Sequence, residues 1–265
     1  MKTQNFFALL LILLISVSCK SDDDNLVQEF FPKNIVVENI ASPQFNTTIE
    51  IGYNSDNMLT SMTSTYTDGT IISNYTYNDQ GDITLIQTID NIRGLIFNYK
   101  FTYTNNRITS FAASQGTEPD FATYTSTYDQ TSNTYTLTGF DTLRFSFDEE
   151  NNLISEVKEG NYEKQLFTSS ATGIFKVIVA QPAFFMAEAL GDYLVADHST
   201  LFLSNKTITR EQFVDTFGTP VELNYQYINT TDNSGNITNV SIVQQETDEQ
   251  RFNIDISYER RNLNP

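Results

Sequence analysis

The chain has no tryptophan, one cysteine and one histidine among its 265 residues. A single cysteine closes no disulfide within the chain, so the fold must rest on packing alone. A single histidine excludes a histidine-rich metal site. Any Ser-His-Asp or Cys-His arrangement would have to use His198, which follows Asp197 in what reads as a loop. Cations are scarce as well, with 15 Lys and Arg against 33 Asp and Glu and a formal net charge of −18. Such a surface repels nucleic acid and anionic lipid headgroups, so no nucleic-acid partner is expected. The apolar run Phe6–Ile15 is about half the roughly 20 residues that a spanning helix needs. There is no phosphate-cradling Gly-rich loop, no nucleophile elbow and no basic patch.

The one cysteine is informative by its position. Lys2, the apolar run from Phe6 and small residues up to Ser18 have the order of a secretory signal, and Cys19 stands at the expected cut. The segment Leu14-Ile15-Ser16-Val17-Ser18-Cys19 resembles a lipobox, with Ser16 where a branched aliphatic residue is usual. The reading is a signal peptide over 1–18 and acylation of Cys19, whose chains would hold the protein at a membrane at about 0.8 kcal/mol per buried methylene. Ser21, Asp22, Asp23 and Asp24 resemble the acidic signal that sends Bacteroidetes lipoproteins to the outer face of the outer membrane. Residues 19–33 read as an acidic linker and 34–265 as one domain, a size routine for all-β folds of about 200–250 residues.

A theme repeats through that domain. Strands of strict alternation end in aromatics, as in Ile49–Tyr53, Tyr75–Tyr77, Phe97–Tyr103, Tyr124–Tyr128, Leu143–Phe147, Leu223–Tyr227 and Phe252–Tyr258. Period two puts the aromatics on one face and Thr, Asn, Lys and Glu on the other, which is the mark of an antiparallel sheet with one dry face. Turns rich in Asn, Asp and Gly follow, such as Asn54–Asn57, Asn78–Asp82, Thr104–Arg107, Asp148–Asn152 and Asp232–Asn236. These residues accept the left-handed backbone of tight hairpins. Return strands open on Leu59, Ile83, Ile108, Leu153 and Ile237, and their next apolar residue often comes at three rather than two, which reads as a bulge or as partial covering of both faces. The terminal aromatics Tyr53, Tyr77, Tyr103 and Tyr128 recur at intervals of about 25 residues, the period of a repeated hairpin.

The repeat breaks between about Tyr162 and Pro220. Pro182–Leu190 reads as a helix with proline in its first turn and Gly191 at its end. A second short helix is expected after Thr209, from the capping-box spacing of Thr209 and Gln212, with Phe213 and Phe217 one turn apart and Gly218 and Pro220 as stops. The fold class is therefore all-β with minor α: an antiparallel β-meander of repeated hairpins, curled or barrel-like, with one or two short helices covering an end or edge.

The leader, the Ser-Asp-Asp-Asp tract and repeats such as Tyr75-Thr76-Tyr77-Asn78-Asp79-Gln80-Gly81-Asp82-Ile83-Thr84 resemble a Bacteroidetes outer-membrane lipoprotein family of unknown function. The hairpins also resemble the Tyr-Asp repeats of Rhs-type shell proteins. The likeness covers most of 45–160 and 221–258. It implies a porin-like, barrel-resembling fold and brings no catalytic residues. A membrane-spanning strand needs about 9–11 residues, and the alternations here are mostly shorter, so a soluble curled sheet or barrel is expected rather than a pore.

Chemistry-bearing candidates are few. Asp79, Asp82, Asp232, Asn233 and Asn236 could offer oxygen ligands to calcium, but no twelve-residue loop with a terminal Glu surrounds them and turn chemistry accounts for them. Glu149 and Glu150 are the carboxylate pair a glycoside hydrolase would need, and they fall in a hairpin turn. No cofactor, metal site or enzymatic activity is expected. The aromatic ladder reads as core, with a groove for a hydrophobic or sugar ligand as the alternative. The expected function is that of a lipid-anchored, surface-displayed envelope protein that binds a ligand or partner. The alternatives are an assembly component of an outer-membrane complex and a glycan hydrolase.

Overall fold

Four hairpin turns share one hydrogen-bond pattern, and it fixes the geometry of everything around them. In Asn54–Met58, Asn78–Asp82, Asp148–Asn152 and Asp232–Asn236 the first side chain accepts the backbone N–H groups two and four residues on, at 2.8–3.0 Å. Its own N–H donates to the carbonyl of the fifth residue. The fourth residue is left-handed in each: Asn57, Gly81, Asn151 and Gly235, with φ between 62° and 83°. Asn and Gly tolerate that region best, which is why they stand there.

The computed structural model describes residues 27–175, 181–190, 204–216 and 221–263. The strands are β1 (Gln28–Asn39), β2 (Thr47–Tyr53), β3 (Leu59–Tyr66), β4 (Gly69–Tyr77), β5 (Ile83–Asp90), β6 (Leu95–Thr104), β7 (Arg107–Gln115) and β8 (Asp120–Asp129). They continue as β9 (Thr134–Thr138), β10 (Thr142–Phe147), β11 (Leu153–Lys158), β12 (Tyr162–Thr172), β13 (Lys206–Asp215), β14 (Val221–Thr231), β15 (Ile237–Gln244) and β16 (Glu249–Asn262). Each pairs antiparallel with its neighbours in sequence, and β1 pairs with β16 from Gln28↔Asn262 to Asn39↔Phe252, so the sheet closes into a barrel. Closure removes both sheet edges.

The three-residue spacing on the return strands is a β-bulge. The register slips by one between Gly52 and Tyr53, Thr76 and Tyr77, Thr102 and Tyr103, Ser146 and Phe147, and Thr230 and Thr231. The extra residues are Thr60, Thr84, Thr109, Ile154 and Thr238, and three of their hydroxyls bond back across the hairpin to Thr76, Thr102 and Thr230 carbonyls. A bulge inserts one residue and adds twist. It returns the strand to the correct face, so Ile83 and Ile86, or Ile108 and Phe111, all point inward and are buried.

The helix α1 (Pro182–Leu190) is the expected one, and it lies inside the barrel. Ala183 to Ala187 are all buried. Phe184 meets the inward ring of Tyr75 edge-on at 5.3 Å and Phe185 meets Phe147 at 5.8 Å. Burying each such ring contributes about 1.5–3 kcal/mol, so the helix holds the inner wall together. Gln181 ties its start to the β4–β5 hairpin, accepting from the Ile83 N–H at 2.9 Å and donating to the Gly81 carbonyl at 2.8 Å.

Two boundaries differ from the sequence reading. The expected second helix is the strand β13, paired on both sides through Leu166↔Glu211 and Glu211↔Tyr225. Thr207, Ile208, Thr209 and Val214 are β-branched and suit a strand, which outweighs a capping spacing; Phe217 and Gly218 lie outside the described residues. The linker assigned to 19–33 is sheet from Gln28 on, and Phe31 is fully buried. Pro32 and the unpaired Lys33 sit at a bulge in β1, where a residue without an N–H fits.

Strand length does not decide against a pore, because β1, β6, β8, β12, β13, β14 and β16 run 10 to 14 residues. Polarity does decide. The outer wall is built of Thr48 and Glu50 on β2, Ser61, Thr63 and Thr65 on β3, Asn98, Lys100 and Thr102 on β6, and Asn253, Asp255 and Ser257 on β16, while their alternates fill the core. A membrane-spanning barrel needs the reverse, an apolar outer band about 25 Å tall.

Candidate functional site

The bulges free carbonyls that a ring of tyrosines then takes. The hydroxyls of Tyr77, Tyr103 and Tyr258 donate to the carbonyls of Leu59, Ile83 and Ile237, the first residue of the preceding return strand in each case, at 2.6–2.9 Å. Tyr53 donates to Pro32 in the same way. Burial pushes the phenols of Tyr53, Tyr77, Tyr103 and Tyr258 well above the ordinary range, so they remain donors at physiological pH. This ring lines one end of the barrel, the end that holds the four repeated turns.

A cavity of about 490 Å³ opens there, walled by Phe31, Leu59, Tyr77, Tyr103, Tyr135 and the first-turn residue Phe184 of α1. Its rim is polar and comes from the turns: Asp56, Gln80, Asp82, Asn106, Arg107 and, from the helix start, Gln181. The Arg107 guanidinium lies over the Tyr128 ring, 3.9 Å from its centre. An apolar floor beneath a few convergent polar groups, at this size, is the usual form of a small-molecule site.

A second polar system runs along the inner wall from the β9–β10 turn across β11 to β14. Tyr124 donates to Asp141 at 2.5 Å, and Lys158 pairs with the other oxygen of Asp141 at 3.0 Å. Both oxygens of Glu156 are taken, one by the Tyr162 hydroxyl and one by the Lys164 ammonium at 2.8 Å. Tyr227 donates to Glu211 at 2.8 Å. Burial pulls the Lys164 ammonium down, but Glu156, Glu188 of α1 and Glu211 hold it well above its ordinary value. Burial raises the Glu211 carboxyl above its ordinary range, against the opposing pull of Lys164 and the Tyr227 hydroxyl. With both Glu156 oxygens engaged, the chemistry of this wall is internal neutralisation and tethering of the helix.

The sequence-derived candidates scatter. Cys19, Ser21, Asp22, Asp23, Asp24 and His198 lie outside the described residues. Glu149 and Glu150 fall in the β10–β11 turn, where Glu150 reaches Lys206 at 3.6 Å and stays exposed. Asp232 spends its carboxylate on the turn amides and the Asn236 side chain. Among the described residues no group of three or more His, Cys, Asp or Glu is placed to hold a metal ion. The tyrosines that end each strand signal the aromatic lining of the mouth but not its position. The charged wall gives no such signal, because Tyr162-Glu163-Lys164-Gln165 is polar on both faces and carries no alternation to read.

These features define a closed, polar-walled β-barrel with a helix inside and an aromatic cavity at one mouth. Among solved structures the chain is similar to a porin-like protein from Bacteroides uniformis, with a TM-score of 0.51 and 15% identity over 86% of this chain and 98% of that one. It is also similar to a porin-like protein from Bacteroides vulgatus, with a TM-score of 0.44 and 11% identity over 87% and 99%. At 15% identity the likeness to the first is one of fold alone. No family model matches the chain, and no curated protein sequence does.

Proposed function

We propose that this chain is a non-enzymatic lipoprotein of the outer membrane, held by acyl chains on Cys19 and displayed on the exterior through Ser21–Asp24, whose barrel mouth binds a small ligand. The observation that carries the binding role is the aromatic cavity of about 490 Å³ with its polar rim. The polar outer wall supports a tethered body over an inserted one, and a lipid anchor explains how such a body stays at a membrane. The tether is tested by labelling cells with radioactive palmitate. Label should enter the protein, and Cys19→Ser should release it from membranes; unlabelled protein that still sediments with membranes rules the tether out. Display is tested by protease shaving of intact cells, which should remove the protein. Binding is tested by native mass spectrometry of protein taken gently from its own cells. A co-purified small molecule should be present, and Gln80→Trp, an exposed rim substitution that blocks the mouth, should eliminate it. An empty parent protein, or a ligand indifferent to Gln80→Trp, refutes the mouth as the site.

A further inference from the structure

The two ends of the barrel differ in what they show to solvent. Among the described residues twelve large apolar side chains are exposed, and seven of them, Ile40, Phe45, Ile92, Ile96, Phe121, Phe140 and Val221, stand at the end opposite the tyrosine-ringed mouth. Four are close neighbours in the barrel order between β5 and β10. Ile92 lies in the β5–β6 turn against Gly69, and Ile96 accepts the Gly116 N–H of the β7–β8 turn. Phe121 opens β8 on its outer face, and Gly139, beside Phe140, abuts β8 at Thr123. Phe140 is 89% exposed and Phe121 57%. Single exposed apolar residues are ordinary, but a cluster ringed by polar groups marks an interaction site.

We infer that this rim is a docking surface for another protein of the envelope, one that presents apolar side chains flanked by lysine or arginine. Charge selects the partner. The cations at this end of the sector are already matched: Arg93 with Asp90 at 2.8 Å, Lys100 with Asp120 at 2.8 Å, Arg144 with Glu159 at 2.9 Å and Lys158 with Asp141 at 3.0 Å. Asp68 and Glu118, exposed in the adjoining turns, add carboxylates. The field over the patch is therefore acidic, and a basic rim on the partner complements it. The same field opposes a second copy of this chain, whose own formal charge is −18. Bilayer lipid is opposed by position. The chain enters β1 at the mouth end, where Gln28 pairs with Asn262, and the residues between Cys19 and Val27 span at most roughly 30 Å when extended. With Cys19 at the membrane, the mouth end stays near it and the apolar rim points away. This inference takes its envelope setting and its orientation from the proposed tether and is independent of the ligand at the mouth.

The test places a photoreactive residue at position 140 in the full-length, acylated protein in its own cells. The expected product is one protein adduct whose cross-linked peptide is apolar and rich in lysine or arginine. Its yield should fall about tenfold in Phe121→Ser and be unchanged in Gln80→Trp, which touches only the mouth. Adducts to lipid or to a second copy, an acidic cross-linked peptide, no adduct, or a yield indifferent to Phe121→Ser would each overturn it. Both Phe side chains face solvent, so neither change disturbs the core.

Discussion

Replacing Lys164 by methionine should destabilise the domain by about 3–5 kcal/mol at neutral pH, the range for stripping one partner from a buried ion pair. An exposed pair would contribute at most about 1 kcal/mol. Here the lysine side chain is 14% exposed and its Glu156 partner 2%, at 2.8 Å. Methionine fills nearly the same volume, so no large cavity adds to the loss. What remains is Glu156 facing Glu188 and Glu211 with no common cation. For a domain of this size that deficit lowers the melting temperature by roughly 6–20 °C, readable by far-ultraviolet circular dichroism. The sign of its pH dependence follows from the carboxylates. Without the ammonium the Glu211 carboxyl, already raised by burial, loses the lowering pull of Lys164 and rises further, so its destabilising effect is present above the unfolded carboxyl range and fades as pH falls toward it. The deficit should therefore shrink between pH 7.5 and pH 4.5. The double variant Glu156→Gln, Lys164→Met should recover part of the loss, because the carboxylate in direct contact with the lysine goes with it, while Glu188 and Glu211 remain without the shared cation. A deficit under about 1 kcal/mol, or one that stays constant or grows on acidification, would refute the account of the wall as a neutralised buried network.

Two further outcomes follow from single bonds. Glu211→Gln keeps an acceptor for the Tyr227 hydroxyl but cannot ionise. Because burial raises the Glu211 carboxyl, the parent loses stability as pH climbs from the unfolded carboxyl range through the folded value; the variant should be at least as stable at pH 7.5 and lack that decline in a pH series of urea midpoints. Tyr103→Phe removes the donor to the Ile83 carbonyl and should cost about 0.5–1.5 kcal/mol with an unchanged denaturant slope.

Much of the barrel was legible because its repeat is chemical as well as hydropathic. An aromatic, then Asn or Asp, then Asn or Gly three residues on, then Leu or Ile specifies a strand end, a turn with one left-handed residue and a bulged return strand, as in Tyr77-Asn78-Asp79-Gln80-Gly81-Asp82-Ile83. The bulge itself is visible as the step from Ile83 to Ile86. Closure was not legible, since it depends on pairing Gln28–Asn39 with residues more than two hundred positions away, and Pro32 and Lys33 interrupt the alternation that would have marked β1 as a full strand. β13 was misread because Thr209, Gln212 and Phe213 fit a helical template as well as an extended one, and only the neighbouring strands decide between them. The mouth cavity could be anticipated in composition but not in position. Its floor needs α1, and the contacts of Gln181 with Gly81 and Ile83 join segments about a hundred residues apart.

The bulged strand also makes a demand that a point substitution and deletions test differently. Thr109 stands between Ile108, which pairs with Tyr103, and Ser110, which pairs with Thr102. Its side chain is dispensable: Thr109→Ala loses one hydroxyl contact of 3.2 Å at an exposed site and should cost no more than about 0.5–1 kcal/mol. Its backbone supplies the bulge and not the phase. Deleting Thr109 alone shortens the step from Ile108 to Phe111 from three residues to two, and a regular period-two strand keeps both inside, opposite Tyr103 and Phe101. Deleting Thr109 and Ser110 together makes the step one, so Ile108 and Phe111 must face opposite ways. Either Phe111 and Ala113 turn outward, or the hairpin slips and Ile108 does, and each is at most 2% exposed in the native wall. Turning one such side chain into water forfeits about 1.5–3 kcal/mol, to which the broken register with β6 and β8 adds. The double deletion should therefore lower the urea midpoint several times more than the single deletion or the alanine substitution does, and flatten the near-ultraviolet dichroism of the Phe101, Phe111 and Tyr124 stack. If the single deletion proves as damaging as the double one, the wall depends on the twist of the bulge and not on the phase of its inward residues.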